Sequence, residues 1–165
     1  MPAGRAELFA FLDRLGIETR TFEHPPLFTV EQSQALRGEI AGAHTKNLFL
    51  KDRKDGYFLL TLGEEAQVDL KQIHRQIGAA GRVSFGRPEM LMELLGVAPG
   101  AVTLFGLLND VERRVRLFVD PGLLEHEVIN AHPLTNAATT SIARADLLRF
   151  LAATGHAPTT LKLPA

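Results

Sequence analysis

Residues 45–51 constrain the fold more than any other part of this sequence. Side chains alternate along a strand, so Leu48 and Leu50 would lie on one face and Phe49 on the other. A strand that is apolar on both faces is typical of a central, buried position in a sheet. A second apolar run begins at Tyr57, after a charged segment that ends in glycine, and this pattern predicts a β-hairpin.

The rest of the chain is divided into short elements of both types that do not alternate regularly. Helices are predicted over residues 6–15, 29–36, 69–77, 88–95 and 145–153, and further strands over residues 17–22, 57–62, 82–85, 101–105, 115–120, 127–131 and 139–143. Glycine or proline stands at many of the boundaries, as expected for turns and helix ends. This mixture predicts an α/β (α+β mixed) fold with a mixed sheet, curved or partly closed, and it argues against a doubly wound parallel sheet.

The length of the chain fits one domain, residues 1–165, and leaves little room for a second. Residues 157–165 are expected to form a frayed tail. No run approaches the roughly 18 apolar residues that a membrane helix needs, and the first residues lack the apolar stretch of a signal peptide. We therefore expect a cytoplasmic protein that makes no membrane contact.

The composition restricts the chemistry that the chain can perform. It contains no cysteine, which excludes disulfides, thiolate nucleophiles and cysteine metal sites. No P-loop, dinucleotide fingerprint or helix-spaced histidine pair is present, so we expect neither a cofactor nor a metal. The formal net charge of -1 lacks the basic excess that duplex binding usually requires. Any contact with nucleic acid would therefore be confined to a small basic rim around a pocket.

Lys46 opens the buried strand and is the most informative single residue. Burying an unpaired ammonium is costly, so a lysine in this position normally has an anionic partner or a ligand. The alternative is that its side chain extends to solvent at the end of the strand. Spacing alone leaves both interpretations open.

Three other segments combine polar residues or glycine with proline. His132 precedes a proline within the polar run 130–136, which is either a loop that lines a site or an ordinary turn. His24 also precedes a proline, and a capping or packing role is the simpler interpretation for it. Residues 99–106 contain glycines that would let the backbone present N–H groups to an oxyanion, or would simply form turns.

Four segments together carry a resemblance to a known family. They read H-P-P-L-F-T-V-E at 24–31, H-T-K-N-L-F-L at 44–50, L-G-V-A-P-G-A-V-T at 95–103 and N-A-H-P-L-T-N at 130–136. In this order and at these distances they resemble the YbaK/ProX family of aminoacyl-tRNA editing domains, and within it the free-standing ProX branch. The resemblance extends from about residue 6 to residue 150.

This resemblance implies a single compact domain with a mixed, barrel-like sheet surrounded by short helices. It also implies an ester hydrolase that frees a wrongly attached amino acid from the terminal adenosine of a tRNA. The ProX branch is associated with alanine on proline tRNA. The central lysine of the family falls on Lys46 with Asn47 beside it, and the ProX-type histidine falls on His132.

The glycine loop of the family falls on residues 100–104, where the backbone at Gly100 and Ala101 would stabilise an oxyanion. Leu104 stands where the family often has proline, which leaves the loop geometry open. Since an aminoacyl ester is already activated, a positioned water would suffice as the nucleophile. Lys46 would then anchor the terminal phosphate or ribose, while Asn47 and His132 orient the amino acid or the water.

The family pattern also implies a small pocket that admits alanine and refuses a larger side chain. Its expected substrate-binding residues are Pro26, Phe28, Thr29, Thr103 and Ile129. The expected partners are the acceptor end of proline tRNA and, for recruitment, prolyl-tRNA synthetase or an elongation factor. The alternatives are a deacylase for cysteine or another small amino acid, a non-catalytic tRNA- or nucleotide-binding module, and a small-molecule binding protein.

Overall fold

A mixed sheet of eight strands organises the part of the chain that the structure describes. The structure is a computed structural model, and it describes residues 2–26 and 40–162. In these ranges the strands are β1 (Thr19–Glu23), β2 (Ala43–Lys51), β3 (Tyr57–Gly63), β4 (Ser84–Phe85), β5 (Val115–Val119), β6 (Val128–Ala131), β7 (Ala138–Ala143) and β8 (Thr159–Thr160). The α-helices are α1 (Arg5–Arg14), α2 (His74–Ile77), α3 (Pro88–Leu95) and α4 (Arg144–Thr154), and short 3-10 helices cover Pro99–Ala101, Leu104–Asn109 and Leu123–Glu125.

The strand order is β1-β7-β6-β2-β3-β5-β8, with β4 paired to β2. Antiparallel ladders join β1 to β7, β7 to β6, and β2 to both β3 and β4. Parallel ladders join β6 to β2, β3 to β5 and β5 to β8. Parallel and antiparallel pairs therefore occur in one sheet, which confirms the mixed α/β fold expected from the sequence.

The two faces of the sheet pack against different parts of the chain. On the first face, which we call the helix face, Phe49, Leu59 and Ile129 belong to one apolar cluster with residues of α1, α3 and α4. On the opposite face, which we call the outer face, Leu50 and Phe58 belong to a second cluster that segment 66–83 helps to form. Neighbouring residues of a strand alternate between these faces, so each strand position can be assigned to one of them.

Most of the expected elements lie where the sequence predicted them. The hairpin of β2 and β3 is present, with Leu48 opposite Leu60. Helices α3 and α4 end at Gly96 and Gly155, whose φ angles of 69° and 84° are in the left-handed region that favours glycine. The predicted helix over residues 29–36 lies outside the described residues.

Two predicted elements are wrong in type or length. Residues 101–105 were expected to form a strand, but 3-10 helices begin at Pro99 and Leu104 instead. The second of these helices approaches α3 so closely that a Cβ on Gly106 would lie 2.9 Å from the carbonyl oxygen of Leu95. The helix expected over 69–77 is regular only from His74 onward, because turns occupy the residues before it.

The expectation of a frayed tail is wrong for residues 157–162. Strand β8 pairs in parallel with β5, and Thr159 lies opposite Phe118. Leu161 is 3% exposed and belongs to the second apolar cluster, while its N–H donates to the carbonyl oxygen of Val119 at 2.9 Å. Burial of one apolar side chain and the ladder fix this end of the chain. Among the described residues, no helix is both long and apolar enough to cross a bilayer.

Candidate functional site

A row of polar residues crosses four strands on the outer face. Arg20 lies opposite Ser141, Ser141 opposite Asn130, and Asn130 opposite His44 in the three consecutive ladders. Residues that are directly opposite in a ladder place their side chains on the same face. Polar side chains from β1, β7, β6 and β2 are therefore brought together, although they come from distant parts of the sequence.

Asn130 is the best anchored member of this polar row. It is 2% exposed, and its Nδ2 donates to the carbonyl oxygens of Ala41 and Ala43 at 3.0 and 3.2 Å. The hydroxyl of Ser141 donates to its Oδ1. The Oγ1 of Thr45 also donates to the backbone oxygen of Asn130 at 2.8 Å. These bonds fix the start of β2 against β6, and they account for the polar groups that the fold buries here.

His132 follows Asn130 by two residues, and one hydrogen bond determines which nitrogen of its neutral ring carries the proton. Its Nδ1 lies 3.1 Å from the carbonyl oxygen of Ala138. A carbonyl can only accept, so Nδ1 carries the proton and Nε2 is left as the acceptor of a neutral ring. Burial lowers the pKa of His132, as does the nearby His24, and the bond to Ala138 only partly opposes them. The ring is therefore a neutral base at pH 7.

His24 and Thr139 form a hydrogen-bonded pair beside this ring. The Nδ1 of His24 lies 2.9 Å from the carbonyl oxygen of Pro25, so this nitrogen is the donor, and Nε2 accepts from the Oγ1 of Thr139 at 2.9 Å when the ring is neutral. Thr139 is 4% exposed. The sequence favoured packing or capping for His24 over a place in the site, and it did not single out Thr139. The sequence signal that His24 and His132 share is the proline that follows each of them.

Lys46 lies on the outer face at the boundary between the polar row and the second apolar cluster. It is half-buried and opposite Leu62 in the β2–β3 ladder. It follows His44 by two residues, as His132 follows Asn130, and His44 and Asn130 are paired. Continuation of both strands therefore directs Lys46 and His132 to the same side. Within residues 2–26 and 40–162 no carboxylate forms an ion pair with Lys46.

Asn47 alternates to the helix face and does not share the side of Lys46. Its Oδ1 accepts from the hydroxyl of Thr61 at 2.6 Å, and Thr61 is 1% exposed. The bond joins β2 to β3 directly behind Lys46. Asn47 can therefore position the strand that carries the lysine.

The expected glycine loop lies in the first 3-10 helix and the residues after it. Gly100 is exposed, whereas Ala101 is 7% exposed and belongs to the apolar cluster of the helix face. The N–H of Ala101 donates to the carbonyl oxygen of Ala98 at 2.9 Å, so this donor is already engaged. Thr103 has no exposed surface, and its Oγ1 accepts from the N–H of Phe105 at 3.3 Å as a helix cap.

The expected pocket walls fall in three different environments. Ile129 is 1% exposed and packs in the apolar cluster of the helix face. Pro26 is exposed and is the last described residue before the gap. Phe28 and Thr29 lie outside the described residues. Among the residues that are described, no three histidine, aspartate or glutamate side chains converge as ligands of a metal ion would.

Comparison with known proteins identifies the class of protein to which this site belongs. Residues 24–150 match a family model described as the aminoacyl-tRNA editing domain. A solved structure described as a candidate trans-editing enzyme for prolyl tRNA synthetase matches with a TM-score of 0.70. The match covers 99% of this chain and 100% of that one at 23% identity, and so supports the fold. The chain belongs to the family of aminoacyl-tRNA editing domains of the YbaK/ProX type.

Two named relatives narrow the comparison. A protein of Danio rerio, named prolyl-tRNA synthetase associated domain-containing protein 1, is 42% identical over 159 residues, which are 95% of this chain and 86% of the relative. The prolyl-tRNA editing protein ProX of Acetoanaerobium sticklandii is 32% identical over 150 residues, which are 90% of this chain and 91% of that protein. The prolyl-tRNA editing branch is thus the part of the family that this chain resembles.

Proposed function

We propose that this protein is a hydrolase that removes a wrongly attached small amino acid, most of all alanine, from proline tRNA. The observation that carries the proposal is the neutral ring of His132, whose bond to Ala138 leaves Nε2 as an acceptor on the side of the sheet that Lys46 shares. The name of the ProX relative supports the choice of tRNA. Alanine as the substrate follows from the resemblance to the ProX branch.

In the proposed reaction, water attacks the carbonyl carbon of the ester while His132 accepts its proton at Nε2. A tetrahedral intermediate forms, and its collapse breaks the bond to the ribose oxygen. The protonated ring returns the proton to that oxygen, so the products are the free amino acid and uncharged tRNA. A general base must be unprotonated at the working pH, and burial, which lowers the pKa of His132, keeps its ring in that form.

Lys46 serves in this proposal as the anchor of the substrate. The residue is half-buried and its ammonium makes no ion pair with the described carboxylates, so a phosphate or ribose of the terminal nucleotide can bind it by charge-assisted bonds. Asn47 positions the strand through Thr61. Because the N–H of Ala101 is engaged, the proposed oxyanion donor of the loop is the exposed Gly100.

Specificity in the proposal comes from the size of the amino-acid pocket. A pocket that only excludes larger side chains complements a synthetase that cannot exclude smaller ones. Pro26, Phe28 and Thr29 remain the proposed walls. Ile129 and Thr103 are buried by the fold itself, so we assign them a role in shaping the pocket from behind.

The decisive experiment is a deacylation panel in which proline tRNA carries alanine, cysteine or proline. We expect fast release of alanine, slow release of proline, and a loss of about tenfold or more in Lys46→Ala, the size of a lost charge-assisted bond. Lys51→Ala is the matched control, because Lys51 is a half-buried lysine of the same strand that already pairs, at 3.9 Å, with the exposed Asp55. Preferred release of cysteine would replace alanine as the proposed substrate. Binding of the charged tRNA without turnover of any ester would contradict the proposal that the protein is an enzyme.

We further propose that the protein meets its tRNA in the cytoplasm through a recruiting partner, either prolyl-tRNA synthetase or an elongation factor. A formal net charge of -1 gives weak long-range attraction to RNA, so a partner that delivers the acceptor end would raise the rate. Addition of either partner should raise kcat/KM for the charged tRNA at physiological salt. No change with either partner would contradict recruitment and leave the hydrolase itself unaffected.

A further inference from the structure

A cavity of about 390 Å³ opens on the sheet next to the polar row. Strands β1, β7 and β6 form its floor, and the residues before β2 form one wall. The lining side chains that matter here are Glu18, Arg20, Phe22, Ile40, Val128 and Ser141. The proposed hydrolysis assigns no role to any of them.

The register connects this cavity to the catalytic residues. Phe22 lies opposite Thr139, which bonds to His24, and Arg20 lies opposite Ser141, which bonds to Asn130. The cavity and the polar row are therefore parts of one continuous surface. From β1 to β2 there are three strand spacings of about 4.8 Å, or roughly 14 Å in total. A nucleotide or two can bridge that distance.

The chemistry of the lining suits a nucleotide. The guanidinium of Arg20 lies 5.4 Å from the ring centroid of Phe22, and Arg20 is exposed. Arginine binds phosphate through paired N–H groups, and an aromatic ring offers a stacking platform for a base. Ile40 and Val128 add apolar surface to the lining. Glu18 lies two residues before Arg20, immediately ahead of β1, where its carboxylate can accept from a ribose hydroxyl.

We propose that this cavity holds the nucleotide that precedes the terminal adenosine of the substrate RNA, with Arg20 on its phosphate and Phe22 against its base. The assignment rests on the proposed function, since the ester must lie near His132. It explains how a nearly neutral protein selects an RNA end: one arginine and one ring beside the catalytic centre act locally, as the sequence-based expectation of a small basic rim requires.

The test compares two alanyl esters of different length. One is the ester of adenosine alone, and the other is the ester of the trinucleotide CCA. Arg20→Ala should lower kcat/KM for the trinucleotide about tenfold, the usual loss of one charge-assisted bond, and leave the adenosine ester unchanged. Phe22→Leu, which keeps apolar volume and removes the ring, should show the same selectivity for length. The matched control is Arg14→Ala, because Arg14 covers Phe11 at 5.7 Å on α1, away from the cavity.

Binding of the uncharged trinucleotide gives a second readout that does not need turnover. The dissociation constant should rise about tenfold in Arg20→Ala and remain unchanged in Arg14→Ala. Equal losses on both esters, or unchanged trinucleotide binding, would overturn the nucleotide subsite. If Arg20→Ala changes the ratio of alanine to proline release at both lengths, measured by adding the two matching prolyl esters, the cavity belongs to the amino acid and the nucleotide subsite is overturned. A wild-type protein that binds the trinucleotide through Arg20 but hydrolyses neither ester would contradict the proposed function alone.

Discussion

The Nε2 of His24 accepts a hydrogen bond of 2.9 Å from the hydroxyl of Thr139, across a separation of 115 residues. The bond directs the imidazole of His24 toward the site and places it near enough to influence the pKa of His132. The sequence did not single out Thr139, yet its bond to His24 connects it to His132, which the sequence did single out. We therefore predict that Thr139 positions the ring of His24 and acts on His132 only through that ring.

Thr139→Val should lower kcat several-fold with little change in KM, because the isosteric valine removes the hydroxyl that orients His24. Thr140→Val is the control. Its hydroxyl also bonds across the β1–β7 ladder, to Thr21 at 2.9 Å, but on the helix face. Both variants should lose about 1 kcal/mol of unfolding free energy, measured by urea titration. A matching loss of kcat in Thr140→Val would refute the positioning role.

The protonation of His132 should appear in two pH profiles. Its folded-state pKa is lowered, mainly by burial, so the unfolded chain takes up the proton first as the pH falls. The stabilisation that depends on this group is complete above about pH 6.5 and is lost as the pH falls through the lower, folded-state pKa. The kcat should decline over the same window, since only the neutral ring accepts a proton.

His132→Gln should flatten the pH dependence of the unfolding free energy just below pH 6.5 and abolish the acidic limb of kcat along with most of the activity. Urea titrations at half-unit pH intervals measure the first effect, and single-turnover deacylation measures the second. If the wild type and the variant keep parallel stability profiles, the ring is not held neutral by the fold.

Gly42 should be irreplaceable for two separate reasons. Its φ angle is +108°, and an added Cβ would lie 2.9 Å from both the backbone oxygen of Val128 and the Nδ2 of Asn130. Gly42→Ala should therefore cost at least about 2 kcal/mol and displace Asn130, which lowers activity as well. In Gly16→Ala the φ of +71° is strained but nothing lies within 4 Å, so only about 1 kcal/mol should be lost. Equal losses in thermal or urea unfolding would show that the contact with β6 is unimportant.

Asp110 and His156 form a buried pair that should matter for stability alone. Burial favours a higher pKa for Asp110, but the bond from His156 and those from the N–H groups of Val115 and Arg114 together lower it. A lowered carboxyl pKa contributes stability above about pH 4, and this contribution is lost as the pH falls through the folded-state value.

Asp110→Asn should lower the unfolding free energy by roughly 3 kcal/mol at pH 7, the usual cost of breaking a buried pair. The Michaelis parameters of the folded protein should be unchanged. Asp146→Asn is the control, because Asp146 pairs with Arg149 on the helix surface at 3.1 Å, and such a pair contributes about 0.5 kcal/mol or less. A change in kcat in Asp110→Asn would connect this pair to the site.

The sequence pattern correctly predicted those helices and strands that are determined by interactions between neighbouring residues. The hairpin follows from alternation along β2 and β3, and the ends of α3 and α4 follow from the glycines at 96 and 155. Residues 101–105 were predicted as a strand because Val102, Thr103 and Phe105 favour one. The capping bond of Thr103 and the close approach of Gly106 to α3 decide otherwise, and the second of these is a tertiary contact that periodicity does not contain.

Some residues of the candidate site could likewise be predicted from the sequence, and others became evident only from the structure. Lys46 and His132 could be named from a family pattern, and Asn130 stood in the same polar run as His132, whereas nothing in the sequence singled out Ser141 and Thr139. Their importance comes from the register, which places Asn130 between His44 and Ser141. The buried tail was missed because Thr159 and Leu161 gain their partners only from β5.

The parallel contact between β2 and β6 has a consequence for when the protein becomes active. Thr45 bonds to the backbone of Asn130 across 85 residues of chain, and such long-range pairings form late because loop closure precedes them. During synthesis Lys46 leaves the ribosome long before His132. Under the proposed mechanism, a truncated or nascent chain that has not yet formed this contact presents Lys46 without the proposed base His132, and we expect it to release no amino acid.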